Sequence, residues 1–164
     1  TTDAKGHGPA WNSSLFEDTA EFGLGLFSGT QQIQRQMASA ARAAIALHLS
    51  DELDQVLSDW LDHQHVSEGT RERAETVLAA IRKIENLPKP LQDLADNKDY
   101  LVTQSQWLIG GDGWAYDIDY GGLDHVLAQG KNINALVLDT EVYSNTGGQA
   151  SKSTPFAAIA KFAA

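Results

Sequence analysis

The chain has 164 residues, 42% of them hydrophobic, enough to bury a core within one domain. Its formal charge of −10 argues against a surface built to neutralise phosphates with basic side chains, so neither nucleic acid nor an anionic membrane is an expected partner. With no cysteine, disulfides and, within this chain, thiolate-bound zinc or iron–sulfur clusters are excluded. No apolar run approaches the roughly eighteen residues of a membrane span, and "TTDAKGHGPAW" lacks the layout of a secretory signal, so a soluble, cytoplasmic chain is expected.

Residues 1–12, with Gly6, Gly8 and Pro9, read as irregular. Ser14-Leu15-Phe16-Glu17 then matches a capping box, which predicts a helix start. Gly23, Gly25 and Gly29 weaken that helix while the alanine-rich "RQMASAARAAIALHL" favours it, giving one long or broken helix towards His48. Ser50, Asp51 and Glu52 mark another start, and Leu53, Val56, Leu57, Trp60 and Leu61 share one helical face. The same spacing recurs at Ala74, Val77, Leu78 and Ile81 until the prolines of "ENLPKP" interrupt it. A helical hairpin across residues 50–90 is the expectation.

The period then changes. "SQWLIGG" and "NINALVLD" suit buried strands, and "DIDYGGLDHVLAQG" between them suits a helix through Leu123, Val126 and Leu127, closed by Gly130. Strand, helix, strand implies a parallel pair in an α/β domain, with ligands beyond the carboxyl ends of the strands. The segment "DTEVYSNTGGQASKSTP", Asp139 to Pro155, is a second loop at that edge and leads into a helix expected from Thr154. The ending "AKFAA" is still helix-like, so a piece of a longer polypeptide is expected.

Gly110 to Gly113 has the form of a phosphate-binding turn, with glycines that permit close approach and a following helix that offers free N–H groups. Asp112 would repel an anion there unless a hard dication lies between them, as Mg²⁺ does when it joins carboxylates to phosphates. No lysine or arginine occurs between Ile109 and Gly130 or between Asn132 and Ser151, so the positive charge is assigned to the metal. Further ligands should come from the next strand's end, on the order of thirty residues later. The Thr140 hydroxyl and the Val142 carbonyl lie there, and with Asp112, two phosphate oxygens and a water they fill an octahedron. The plain alternative is that Gly-Asp-Gly and "SNTGG" are two ordinary turns.

The spaced pair "GGDGWAYDIDYGGLDHVLAQG…VLDTEVYSNTGGQASKSTP", together with "GHGPAWNSSLFEDTAEFG", resembles the thiamine-diphosphate-binding domain of the pyruvate:ferredoxin (flavodoxin) oxidoreductases. The resemblance implies a partial parallel-sheet thiamine-diphosphate-binding fold over residues 1–164, with the helical hairpin as an insertion. It implies that Gly111, Asp112, Gly113 and Trp114 contact the diphosphate and metal, with Asp112, Thr140 and Val142 as Mg²⁺ ligands. Glu141, Val142, Tyr143, Ser144 and Asn145 would line the cofactor, and Asn145 would act catalytically by reaching pyruvate. The implied activity is oxidative decarboxylation of pyruvate to acetyl-CoA, using coenzyme A and passing electrons through iron–sulfur clusters to ferredoxin or flavodoxin. Those clusters, the remaining domains and a homodimeric state belong to the full-length enzyme, and the fragment is not expected to turn over alone. Threonine at position 140, where other thiamine enzymes often carry asparagine, favours the oxidoreductases. His7 and Asp119 depart from the arginine and glycine expected there.

Other residues read more simply. His63 and His65 point apart on a helix, and His48 and His125 read as ordinary helix residues. Trp60 and Trp107 suit core packing, and "SDELDQVLSDWLD" suits a solvated acidic face. Asp117, Asp119 and Asp124 lack the spacing of a calcium loop. Two other readings stay open: a helical interaction module on an α/β scaffold, and a module of a different thiamine-diphosphate enzyme.

Overall fold

The computed structural model describes residues 4, 6, 8–13 and 19–159. The chain divides into two compact units, Leu26–Ser105 and Thr1–Gly25 with Gln106–Ala164. Helix α1 (Thr19–Ile45) is continuous despite its glycines, and contributes its first turns to the second of these. The capping box at Ser14 and Glu17 lies outside the described residues, as does His7.

In the helical unit α1 ends in a turn that places His48 in the left-handed region, with φ 49°, beyond the helix rather than within it. Ser50 then caps α2 (Asp51–Asp62), its hydroxyl accepting the Leu53 N–H at 3.2 Å, with acidic side chains in the first turn where the helix dipole favours them. Leu53, Leu57 and Trp60 form the buried face, as their spacing predicts. Helix α3 (Thr70–Ile81) buries Ala74, Val77, Ala80 and Ile81. Pro88 and Pro90 do more than interrupt the pattern: they open a further helix, α4 (Lys89–Asp96), because a proline in the first turn forfeits no intrahelical bond. Leu91 and Leu94 from α4, and Leu101 from a 3₁₀ turn (Lys98–Leu101), complete this core. The buried Trp60 indole donates to the Leu101 carbonyl at 2.8 Å, joining burial to a satisfied polar group. His63 and His65 are exposed, as expected.

In the α/β unit β1 (Gln106–Gly110) and β2 (Ile133–Val137) pair in parallel, with Trp107 opposite Asn134 and Ile109 opposite Leu136. The connection holds two helices, a single turn α5 (Asp112–Tyr116) and α6 (Tyr120–Ala128), with Gly130 at φ 58° after the second. The α/β class is therefore as the sequence indicates, although α5 replaces the simple turn that Gly-Asp-Gly suggests. Leu108, Trp114, Ala115, Leu123, Val126 and Ala20 form the core, and a Cβ on Gly23 would sit 1.9 Å from Leu108 Cδ2, so α1 meets β1 through a glycine.

Beyond the position of His48, three expectations are overturned. The strands are not buried runs: only Leu108 of β1 is buried, and β2 has no buried residue. Trp107 is 54% exposed rather than buried: Leu108 takes the core-facing position, and the alternation of a strand turns Trp107 and Ile109 the other way, beside Leu136 and Leu138. The stretch from Thr154 to Ile159 is not helical; Ala157 has φ 68°, and Phe156 and Ile159 are fully exposed, so no buried face supports a helix there. In its place the second loop forms a small antiparallel hairpin, β3 (Val142–Tyr143) with β4 (Gln149–Ala150), whose turn uses Gly147 at φ 121° and Gly148 at φ 91°. Among the described residues no helix is long and apolar enough to cross a membrane.

Candidate functional site

Because β1 and β2 are parallel, their carboxyl ends are neighbours, and the Leu138 N–H bonds the Gly110 carbonyl at 2.8 Å just past the strands. From this edge one segment enters α5 at Asp112 and the other runs through Asp139 and Thr140. Asp112 is 2% exposed, yet its carboxylate is fully engaged. Oδ1 accepts the Thr140 N–H at 2.9 Å and lies 3.2 Å from the Thr140 hydroxyl. Oδ2 accepts the Ser151 hydroxyl at 2.8 Å and the Ser153 hydroxyl at 2.5 Å. The Thr140 hydroxyl also lies 3.0 Å from the Val142 carbonyl oxygen.

Burial by itself would raise the Asp112 pKa, but the hydrogen bonds from Ser153, the Thr140 N–H, Ser151 and the Thr140 hydroxyl outweigh it and hold the carboxyl below the ordinary aspartate range. The site therefore carries a buried negative charge at neutral pH. Lys152, between Ser151 and Ser153 in sequence, faces Asp117, its Nζ 3.8 Å from that carboxylate and its backbone N–H donating to the same group at 3.3 Å.

The oxygens suit a hard cation. Neighbouring oxygens in an octahedron with Mg²⁺-length bonds stand about 2.9 Å apart. Along the row Asp112 Oδ1, Thr140 Oγ1, Val142 O the separations are 3.2 and 3.0 Å. Among the described residues no group of three His, Cys, Asp or Glu side chains could hold a metal, so a site here draws on one carboxylate and two neutral oxygens. Such a set leaves positions for ligand oxygens.

The loop between the ligand oxygens is held by other contacts. Glu141 has φ 62°, its N–H donates to Asp139 Oδ1 at 3.1 Å, and the Thr154 hydroxyl donates to its carbonyl. Tyr116 donates to Asp139 Oδ2 at 3.0 Å; that bond, partial burial and the charges of Asp139 and Asp112 raise the phenol's pKa.

The glycines divide. A Cβ on Gly110 would lie 2.4 Å from the Trp114 ring, and one on Gly113 would lie 2.2 Å from the Tyr143 ring, so packing within the protein accounts for both. Gly111 has only the Leu138 carbonyl oxygen within reach, at 3.9 Å. Trp114 is buried, and its indole nitrogen has no acceptor among the described residues. Ser144 and Asn145 are exposed in the turn between β3 and β4. The structure thus brings Asp112, Thr140 and Val142 together, sets Gly113 against Tyr143, and leaves Asn145 on the hairpin tip. Sequence reading missed Ser151 and Ser153, whose signal is the hydroxyl cluster "SKST" that a hairpin returns to Asp112.

No protein-family model matches the chain. The chain is 58% identical over its whole length to the pyruvate-flavodoxin oxidoreductase of Klebsiella pneumoniae, and 48% identical over its whole length to the pyruvate:ferredoxin oxidoreductase of Moorella thermoacetica. It belongs to this oxidoreductase family. A mitochondrial pyruvate dehydrogenase (NADP⁺) of Euglena gracilis is 48% identical over 99% of the chain. The chain spans 14% of the length of the two oxidoreductases and 9% of the Euglena protein, so it corresponds to one segment of the family. That family is the one the paired loops resemble.

Proposed function

We propose that this segment holds thiamine diphosphate through Mg²⁺ within an oxidoreductase that converts pyruvate and coenzyme A to acetyl-CoA, with a parallel-sheet thiamine-diphosphate-binding fold completed by further chain. The observation that carries the reading is the convergence of Asp112 Oδ1, Thr140 Oγ1 and the Val142 carbonyl at the carboxyl edge of two parallel strands. Kinship with the pyruvate oxidoreductases supports the substrate. When bound, thiamine diphosphate supplies the nucleophilic carbon and electron sink that decarboxylation of a 2-oxoacid requires.

The chain's own residues have separable tasks. Asp112 supplies a full negative charge to the cation, kept ionised by the Ser151 and Ser153 hydroxyls and the Thr140 N–H. Thr140 and Val142 add neutral oxygens, so a chain of charge −10 retains a dication whose remaining charge attracts a diphosphate. Gly111, Gly113 and Trp114 border the diphosphate, and Glu141, Tyr143 and Ser144 line the cofactor. Asn145 donates its amide N–H to an oxygen of pyruvate as negative charge develops there. The cysteines that hold iron–sulfur clusters would come from outside this chain, which has none, and the clusters would supply the electron path to ferredoxin or flavodoxin. The full-length enzyme acts as a cytoplasmic homodimer.

Calorimetric titration of the full-length enzyme that contains this segment with thiamine diphosphate, in the presence and absence of Mg²⁺, tests the reading. Metal-dependent binding abolished by Asp112→Ala is the expected result; metal-independent binding, or none at millimolar ligand, refutes it.

A further inference from the structure

We propose that Ser151 and Ser153 are positioning residues that make Asp112 a one-oxygen metal ligand and thereby set the preference of the site for Mg²⁺ over Ca²⁺. The inference rests on the Mg²⁺ reading of Asp112, Thr140 and Val142 and deepens it.

The two oxygens of Asp112 are not equivalent. An ionised carboxylate has about two acceptor sites on each oxygen. On Oδ2 both are taken by serine hydroxyls, at 2.8 and 2.5 Å. The two hydroxyl oxygens are 2.9 Å apart, but an anion is the stronger acceptor, so each proton goes to Asp112 rather than to the other serine. On Oδ1 one donor is a backbone N–H and the other is the Thr140 hydroxyl, which can itself ligate a cation. A metal arriving between Oδ1 and the Thr140 hydroxyl displaces a single hydrogen bond and none from Oδ2. Chelation by both carboxylate oxygens would instead break a serine bond at a residue only 2% exposed, where water does not replace it cheaply.

The clamp is anchored to the ligand loop. The Ser153 N–H donates to Ser151 Oγ at 3.2 Å, the Ser151 N–H donates to Thr154 Oγ1 at 2.9 Å, and the Thr154 hydroxyl donates to the carbonyl of Glu141, between Thr140 and Val142. One network therefore fixes the carboxylate and the two neutral oxygens relative to each other, as outer-shell partners commonly fix metal ligands.

Mg²⁺ requires a compact octahedron, whereas Ca²⁺ takes six to eight oxygens at longer distance and often accepts a carboxylate through both atoms. Of the oxygen separations, 3.0 Å is nearer the edge of about 2.9 Å for Mg²⁺ and 3.2 Å is nearer the edge of about 3.4 Å for Ca²⁺, so the choice between the ions falls to the carboxylate clamp. Holding Oδ2 away from the ion disfavours the larger cation.

The test is titration of the metal-stripped full-length enzyme that contains this segment with Mg²⁺ and, separately, Ca²⁺ at fixed thiamine diphosphate. Wild type should bind Mg²⁺ more tightly. The Ser151→Ala/Ser153→Ala double variant should lose about 10–100-fold in Mg²⁺ affinity, with a smaller loss for Ca²⁺, so that the ratio narrows. Ser153→Thr, which keeps a hydroxyl, should retain the wild-type ratio. If the double variant does not fold, the single alanine variants carry the comparison. A wild type that binds both ions equally, or alanine variants with an unchanged ratio, overturns the clamp while leaving the metal site standing. A wild type with no metal-dependent uptake of thiamine diphosphate fails earlier, and takes both readings with it.

Discussion

The Tyr143 ring occupies the space a side chain on Gly113 would need, with ring carbon Cε1 2.2 Å from the position of a Cβ. Strand β3 is thereby seated against α5, one residue from Asp112. Gly113→Ala should force the two elements apart and destabilise the α/β unit by about 1–3 kcal/mol, the usual cost of overpacking. Chemical denaturation compared with wild type checks this. Gly111→Ala, with only the Leu138 carbonyl nearby, should cost less.

Acid should unfasten the Asp112 network. Its folded-state pKa is depressed by hydrogen bonds that overcome the opposing effect of burial, so the carboxylate contributes stability that is complete above the ordinary aspartate pKa. That contribution is lost as pH falls through the lowered value in the folded protein. Urea midpoints measured from neutral pH downward should show an acid limb, and Asp112→Asn should flatten it while lowering stability at neutral pH. An identical acid limb in the variant would assign the loss to other carboxylates.

Trp60 ties α2 to the 3₁₀ turn through its bond to the Leu101 carbonyl. Trp60→Phe keeps most of the apolar contact but leaves that carbonyl unpaired, at a cost of about 1–3 kcal/mol. Equilibrium unfolding of the variant measures it.

Ser50→Ala removes the acceptor for the Leu53 N–H and should lower helical-unit stability by about 1 kcal/mol, with Ser50→Asp recovering most of the loss. Thermal unfolding followed by circular dichroism distinguishes the two variants.

The sequence was most informative where one residue type has one physical use. Ser50 before two acids, the helical spacing of Leu53, Leu57 and Trp60, and Gly130 after an apolar stripe each mark a boundary or face that the structure contains. Asp112 and Thr140 were paired through charge: an acid in a glycine turn, with no nearby base, asks for a cation and for neutral oxygens. What escaped were features fixed by partners distant in sequence. Ser151 and Ser153 are unremarkable loop residues until the β3–β4 hairpin returns them to Asp112, and Trp107 looks like any core aromatic until strand alternation assigns its face. Helix α4 was hidden because proline reads as a stop, although it also suits a first turn.

The outward side of β1 and β2 shapes how the chain behaves in a test tube. Trp107, Ile109, Leu136 and Leu138 lie exposed along a parallel pair, an arrangement that in proteins is ordinarily sheathed on both sides. Purified alone, these molecules should grow stickier with concentration, with scattered light rising steeply, and charged replacements at Trp107 and Leu136 should restore colloidal behaviour without disturbing the Asp112 pocket.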